Sequence, residues 1–268
     1  MGAISAGRQA VGAVTRNPIL IVATVLLGVI QLPQLFVQSA DSAVIVVASG
    51  VLSLLFLVLY PFLFGGIIGM GNEAVEGKTS LGTFVSAGKA NYVSLLGAFF
   101  ILLGIGVVYV IGMLIVGAVG GFAVVSTGGD ALGGAAFLGL VAVVLVAFLL
   151  YFVLLFFIQF FGQAIVLDGV GAVDGFRRSI GAVRGHKLST LGYSLVLALI
   201  GGVFGVFGAV FGLLGTPQAA GGFPTPSLGV VAVAAVVFVA LTGVVGAFSM
   251  TYGVAFYRDI RPAEPSAP

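Results

Sequence analysis

Six long apolar stretches run through this chain, separated by short segments that hold most of its charged side chains. The stretches cover residues 18–37, 43–70, 93–125, 135–165, 188–214 and 228–257. Each is long enough to cross a hydrocarbon layer of ~30 Å, which takes about 20 helical residues. Backbone inside a bilayer must satisfy its own hydrogen bonds, which leaves helices or a closed barrel. Barrel strands alternate apolar and polar positions over about ten residues. The run Val141-Ala-Val-Val-Leu-Val-Ala-Phe-Leu-Leu150 has no such alternation. The pattern therefore predicts an all-α fold, a polytopic transmembrane helix bundle of six spans. Residues 1–258 form a single domain in this reading, and 259–268 a short disordered cytoplasmic tail.

The charge pattern adds an orientation. All ten Lys and Arg residues fall in alternate gaps, residues 1–17, 71–92, 166–187 and 258–268. The other gaps, 38–42, 126–134 and 215–227, carry only Asp41 and Asp130. Cytoplasmic loops are enriched in Lys and Arg, so both termini are expected in the cytoplasm and the protein in the cell membrane. An alternative for the first stretch is a secretory signal peptide, with Arg8 and Arg16 ahead of it and small residues at 39–43. An uncleaved first span is preferred, because a second membrane stretch begins at once at Ala43. Asn17-Pro18 reads as a helix start, with Asn as cap and Pro at the first helical position.

Composition supports the membrane reading and narrows the chemistry. The chain is 60% hydrophobic and 7% charged, against about 25% charged residues in a soluble domain. With no cysteine there is no disulfide, thiol chemistry or Cys-ligated metal site. A single histidine, His186, gives no metal-ligand pair, and no cofactor is implied. Asp168-Gly-Val-Gly-Ala-Val-Asp174 superficially resembles the Asp-Gly-rich metal motif of phosphatidyl-alcohol transferases, but lacks its Arg and its further aspartates. No Asp, Glu, Lys, Arg or His falls in mid-span, which argues against proton relays and ion-coupled transport. The expectation is a non-enzymatic membrane module with no nucleic-acid partner, an accessory, assembly or lipid-interacting protein.

A weak threefold repeat organises the chain. Gly7-Arg-Gln-Ala-Val-Gly-Ala-Val-Thr-Arg-Asn17 precedes the first span, and Gly175-Phe-Arg-Arg-Ser-Ile-Gly-Ala-Val-Arg-Gly-His186 the fifth, shifted by 169 residues. A fainter copy, Leu81-Gly-Thr-Phe-Val-Ser-Ala-Gly-Lys-Ala-Asn91, precedes the third. Each unit reads as a short amphipathic inner helix followed by a helical hairpin, three parallel repeats in all. In 174–187, Phe176, Ile180 and Val183 fall on one helical face. Arg177, Arg178, Arg184 and Lys187 occupy other angles. These four bases are candidate lipid-headgroup or orientation contacts, and membrane lipid is the expected partner.

Within the spans, Gln159 and Gln163 stand one turn apart among Phe156, Phe157, Phe160 and Phe161. They are candidates for a neutral polar cavity, as a small-molecule or lipid transporter would need. The competing reading is hydrogen bonding between helices. Gly201, Gly205, Gly208 and Gly212 form a stripe suited to close helix packing. Its partner is another helix of this chain, a second copy, or another membrane protein. Gly65 and Gly69 make a shorter stripe in the second span, and Pro61 is expected to kink or loosen that span.

The segment Val173-Asp-Gly-Phe-Arg-Arg-Ser-Ile-Gly-Ala-Val-Arg-Gly-His-Lys-Leu188 resembles a Phe/Leu-x-Arg-Ser-x-x-x-Val-x-Gly-Asn element. That element stands before a membrane helix in the membrane domains that accompany some glycerophosphodiester phosphodiesterases. The chain is similar also to related six-helix membrane proteins of halophilic archaea whose function is uncharacterised. His186 stands where the element often has Asn. The resemblance implies a helical membrane protein and carries over no catalytic residue.

Overall fold

The computed structural model describes residues 2–26, 43–126, 134–215 and 227–261, and every regular element among them is a helix. In order these are α1 (Ala3–Arg16), α2 (Ile19–Leu26), α3 (Ala43–Glu76), α4 (Leu81–Ser126) and α5 (Ala135–Ile158). They are followed by α6 (Phe161–Asp168), α7 (Ala172–Gly185), α8 (Lys187–Gly215) and α9 (Leu228–Ile260). Five stretches are long and apolar enough to cross a membrane: Gly50–Glu76, Leu81–Ala123, Phe137–Asp168, Lys187–Val206 and Ala232–Ile260. The pair α1 and α2, bent by 93° at Asn17-Pro18, makes a sixth if it is one span. The protein is thus a polytopic helical membrane bundle.

The repeat seen in the sequence has a consistent placement. Among the described residues the buried core gathers at the end of the bundle that carries the bases, here the basic end. There α1 packs on α9, the first turns of α4 on α3, and α7 on α6. Each connecting segment therefore docks on the returning helix of the preceding repeat, and α1 closes the ring against the last one.

Small residues make these dockings close, because only a missing side chain lets one backbone approach another. On α3, a Cβ at Gly66 would lie 2.7 Å from the Phe84 carbonyl oxygen. On α4, a Cβ at Gly88 would lie 2.7 Å from the Phe62 carbonyl oxygen. Gly65 and Gly69 face the same contact, so the short stripe of the second span is a packing seam within the chain. On α7, a Cβ at Gly175 would lie 3.2 Å from the Phe161 carbonyl oxygen.

Several expectations are corrected. The gap 71–92 is almost entirely helical, since α3 runs to Glu76 and α4 starts at Leu81. At about 1.5 Å per residue the 46-residue α4 is about 69 Å long, twice the hydrocarbon thickness. The fourth span breaks at Gln159-Phe160 into α5 and α6. Pro61 lies inside an unbroken helix, and the Tyr92 hydroxyl donates to the Val58 carbonyl one turn before it, at 3.0 Å. The last helix continues to Ile260, which is buried, so chain order extends past 258. The expected tail residues 262–268 lie outside the described residues, as do 27–42 of the first reading.

Gly88→Ala should destabilise the detergent-solubilised protein by about 1–3 kcal/mol, because the new methyl overpacks against backbone. Gly112→Ala, with nothing within 4 Å of its new Cβ, should leave the melting midpoint unchanged. Equal midpoints for the two variants would refute the close docking of α3 on α4.

Candidate functional site at the basic end

The docking stripes share one register across the repeats. On α1 the buried positions are Ala6, Ala10, Ala13 and Val14. On α7 they are Gly175, Ser179, Ala182 and Val183, the same positions shifted by 169. The apolar face expected of α7 is thus displaced. Val183 is fully buried, but the docked face is built from small residues around it. Phe176 stacks on Phe161 with ring centroids 5.1 Å apart, and Ile180 is half-buried.

A polar side chain ends each connecting segment in the same way. Asn17 donates to the Ala13 carbonyl at 3.0 Å, and Asn91 to the Ala87 carbonyl at 3.0 Å. His186 Nδ1 lies 3.2 Å from the Ala182 oxygen. Asn17 does more. Its Nδ2 also donates to the Gly77 carbonyl, and its Oδ1 accepts from the Thr79 N–H, both at 2.9 Å. The sequence reading gave Asn17 a capping role, whereas its side chain ties the 93° bend to the turn between α3 and α4. The second break, at Gln159-Phe160, is closed by Ser179. Its hydroxyl accepts from the Phe160 N–H at 3.0 Å and donates to the Phe157 carbonyl at 2.9 Å.

Acidic side chains hold this layer together. Asp168 closes α6 before Gly169, whose left-handed φ of 64° suits glycine. Its carboxylate is 6% exposed and lies 3.1 Å from Arg178 and 3.9 Å from Arg261. The Tyr257 hydroxyl donates to it at 2.7 Å. Burying a carboxylate is costly unless it is paired and hydrogen-bonded, and here both conditions are met. Glu76 pairs with Arg258, which also donates to the Asn72 side chain at 3.2 Å. Glu73 accepts from Thr79 at 2.8 Å and from Thr83.

Of the four bases singled out in 174–187, only Arg178 turns into the protein. Arg177 reaches the exposed Asp174 at 3.2 Å, a surface pair of little energetic weight. Arg184 and Lys187 are exposed and make no ion pair among the described residues. The outward stripe of α7 mixes charge with apolar area, Val173 at 53% exposed being followed one turn on by Arg177. On α1 the equivalent stripe is Ile4, Arg8 and Val11, with Ile4 75% exposed.

The two glutamines sit at the broken helix. Gln159 Nε2 donates to the Phe156 carbonyl at 2.8 Å, and its Oε1 accepts from Ser194 of α8 at 3.1 Å. It is an interhelical tie. Gln163 is buried against Gly253, where a Cβ would lie 2.8 Å from its Nε2 and 3.0 Å from the Tyr193 hydroxyl. That is a tight polar seam among α6, α8 and α9, and the Gln163 Oε1 has no partner among the described residues. The glycine stripe of α8 faces outward at Gly201 and Gly205, with nothing within 4 Å of an added Cβ. The surroundings of Gly208 and Gly212 lie outside the described side chains. Close packing instead falls on α9, where Gly243 and Gly246 take Val25 and Thr24 of α2, and the Thr24 hydroxyl donates to the Gly243 carbonyl at 2.6 Å.

A family model for a domain of unknown function, DUF7847, matches residues 1–260. The chain belongs to the DUF7847 family. No curated protein and no solved structure matches it. The DUF7847 match takes in both α1 and the end of α9, the two elements whose docking closes the ring.

Two predictions follow from this network. Asp168→Asn should cost about 1.5–3 kcal/mol, the range for hydrogen bonds to a charged group. Asp174→Asn, at an exposed pair, should cost less than about 0.5 kcal/mol. Thermal midpoints of the purified variants decide between them, and equal losses would show that Asp168 is not structural. Asn17→Ala, which loses three hydrogen bonds, should destabilise more than Asn91→Ala, which loses one. A reversed order would refute the role given to the Asn17 bend.

Proposed function

We propose that this chain is a non-catalytic module of the cell membrane, with its basic end and both termini at the cytoplasmic face. There the closed ring of docked helices presents a cationic, partly apolar surface to the inner lipid headgroups. One observation carries the reading: acids and bases are used unequally. Asp168, Asp174 and Glu76 are engaged with Arg177, Arg178, Arg258 and Arg261. Arg8, Arg16, Lys78, Lys89, Arg184 and Lys187 make no ion pair among the described residues, and all are exposed. A free cation such as Arg8 beside exposed Ile4 and Val11 suits a headgroup layer better than water alone. Each such base attracts an anionic leaflet by about 1 kcal/mol.

The resemblance to membrane domains that accompany glycerophosphodiester phosphodiesterases is consistent with an accessory role. The transporter reading has less support, because Gln159 is engaged between helices and Gln163 is wedged against Gly253.

Orientation is the direct test, and the absence of cysteine gives a clean background. Cysteines at the exposed positions Ser126 and Ser227 should react with an impermeant maleimide on intact cells. Cysteines at Ser80 and Asp174 should react only after the membrane is opened. Labelling of Ser80 or Asp174 from outside would overturn the proposal.

A further inference from the structure

A groove of about 550 Å³ lies between the start of α1 and the start of α8, lined by Ala3, Ile4, Ser5, Arg8, Ser189, Gly192 and Val196 among others. That volume is in the range of ligand-sized clefts. Its lining holds one cation and no acid. Arg8 makes no ion pair, and Ser189 no side-chain hydrogen bond, among the described residues. Ser189, Gly192 and Val196 share one side of α8, and the groove follows them for about 10 Å along the helix axis, seven residues at about 1.5 Å each. Gly192 leaves a notch in the floor, which a side chain would narrow, since an added Cβ there would lie 3.7 Å from the Ala3 Cβ.

The surroundings set the depth of the groove. Leu188 is 87% exposed, and Leu191 and Leu195 of α8 are exposed as well, as is Ile4 on the α1 side. So much apolar area on both flanks is stable only against lipid. The groove therefore begins at a cation in the basic layer and runs into the apolar belt. An occupant must match both ends, an anion at Arg8 and a hydrocarbon chain over Gly192 and Val196.

We propose that this groove seats an anionic phospholipid of the inner leaflet, its phosphate against Arg8 and one acyl chain along Gly192 and Val196. The inference rests on the lipid-facing reading above and names its binding site. Arg8 supplies the selectivity for charge, and the glycine notch supplies room for the chain.

A bimane fluorophore on Val196→Cys, in the otherwise cysteine-free full chain, reports on the groove. A second reporter on Val107→Cys of α4, an exposed position away from it, reports on bulk lipid. Both are reconstituted in phosphatidylcholine vesicles containing either brominated phosphatidylglycerol or an equal fraction of brominated phosphatidylcholine. Quenching at Val196 should favour phosphatidylglycerol about fivefold, as one base near an anionic surface gives, while Val107 shows no preference. Arg8→Gln should abolish the preference and Arg8→Lys should keep it. Gly192→Leu should lower quenching by both lipids by filling the notch. Equal quenching by the two lipids, or a preference that survives Arg8→Gln, would overturn the site. Quenching by neither lipid would show a protein segment in the groove and overturn it equally. Because the readout is independent of sidedness, its failure is distinct from a failure of the labelling test.

Discussion

The close approach of each connecting helix to the returning helix of the preceding repeat is the contact on which the rest of the fold depends. It requires a face with almost no side chains, and α1 and α7 supply one through Ala6, Ala10 and Ala13, and through Gly175, Ser179 and Ala182. Lipid is as apolar as leucine, so burying leucine against leucine gains little in a membrane, whereas close backbone packing gains van der Waals contact. The large aromatics fill what remains beside these seams. Tyr193 stacks on Phe256 with centroids 4.6 Å apart, and Phe160 meets Tyr193 at 5.1 Å. Because α1 docks on α9, the first and last helices among the described residues form one interface.

Docking at an angle forces bends, and a bend frees backbone groups that carry a large penalty if they are buried unpaired. The structure answers each bend with one short polar side chain. Asn17 serves the α1–α2 corner, Ser179 the α5–α6 break, and Thr24 the seam between α2 and α9. Ser179 and Thr24 lie within α7 and α2, so these two act from rigid supports, while Asn17 stands at its own corner. The Asp168 cluster does the same for charge, joining α6, α7 and the end of α9 through one carboxylate.

Much of this was readable in the sequence, because membrane spans are written in hydropathy and little else. The helical class and the extents of the apolar runs follow from the need to satisfy backbone in lipid, which leaves few alternatives. The alignment of Gly7–Asn17 with Gly175–His186 put equivalent positions of α1 and α7 in register, but it did not say which of them are buried. The break at Gln159-Phe160 was invisible, because the side chain that satisfies its backbone, Ser179, lies 19 residues along the chain. The sequence reads residues 81–91 as a short inner helix of their own, and nothing in their composition marks that this helix runs on unbroken into the third span. The face of α7 was misplaced for a different reason. Amphipathicity weights bulky residues such as Phe176 and Ile180, while docking selects small ones. The outward glycines at Gly201 and Gly205 show the converse, since spacing alone does not say which helix, if any, approaches.

The distribution of charge completes the physical picture. A bundle that only needed an orientation signal could scatter its bases over the gaps without partners. Here they divide into two sets with different environments. Arg178, Arg258 and Arg261 face carboxylates at the junctions of α3, α6, α7 and α9, where each pair ties two elements together. Arg8, Arg177 and Arg184 stand on the outward faces of α1 and α7, at matching positions in the case of Arg8 and Arg177. Removing a base from the first set leaves a carboxylate short of a partner within the fold, and the cost is structural. Removing one from the second leaves the fold intact and changes only what the surface attracts. The repeat thus separates the two sets by helix face, the inward stripe holding the ring closed and the outward stripe left exposed.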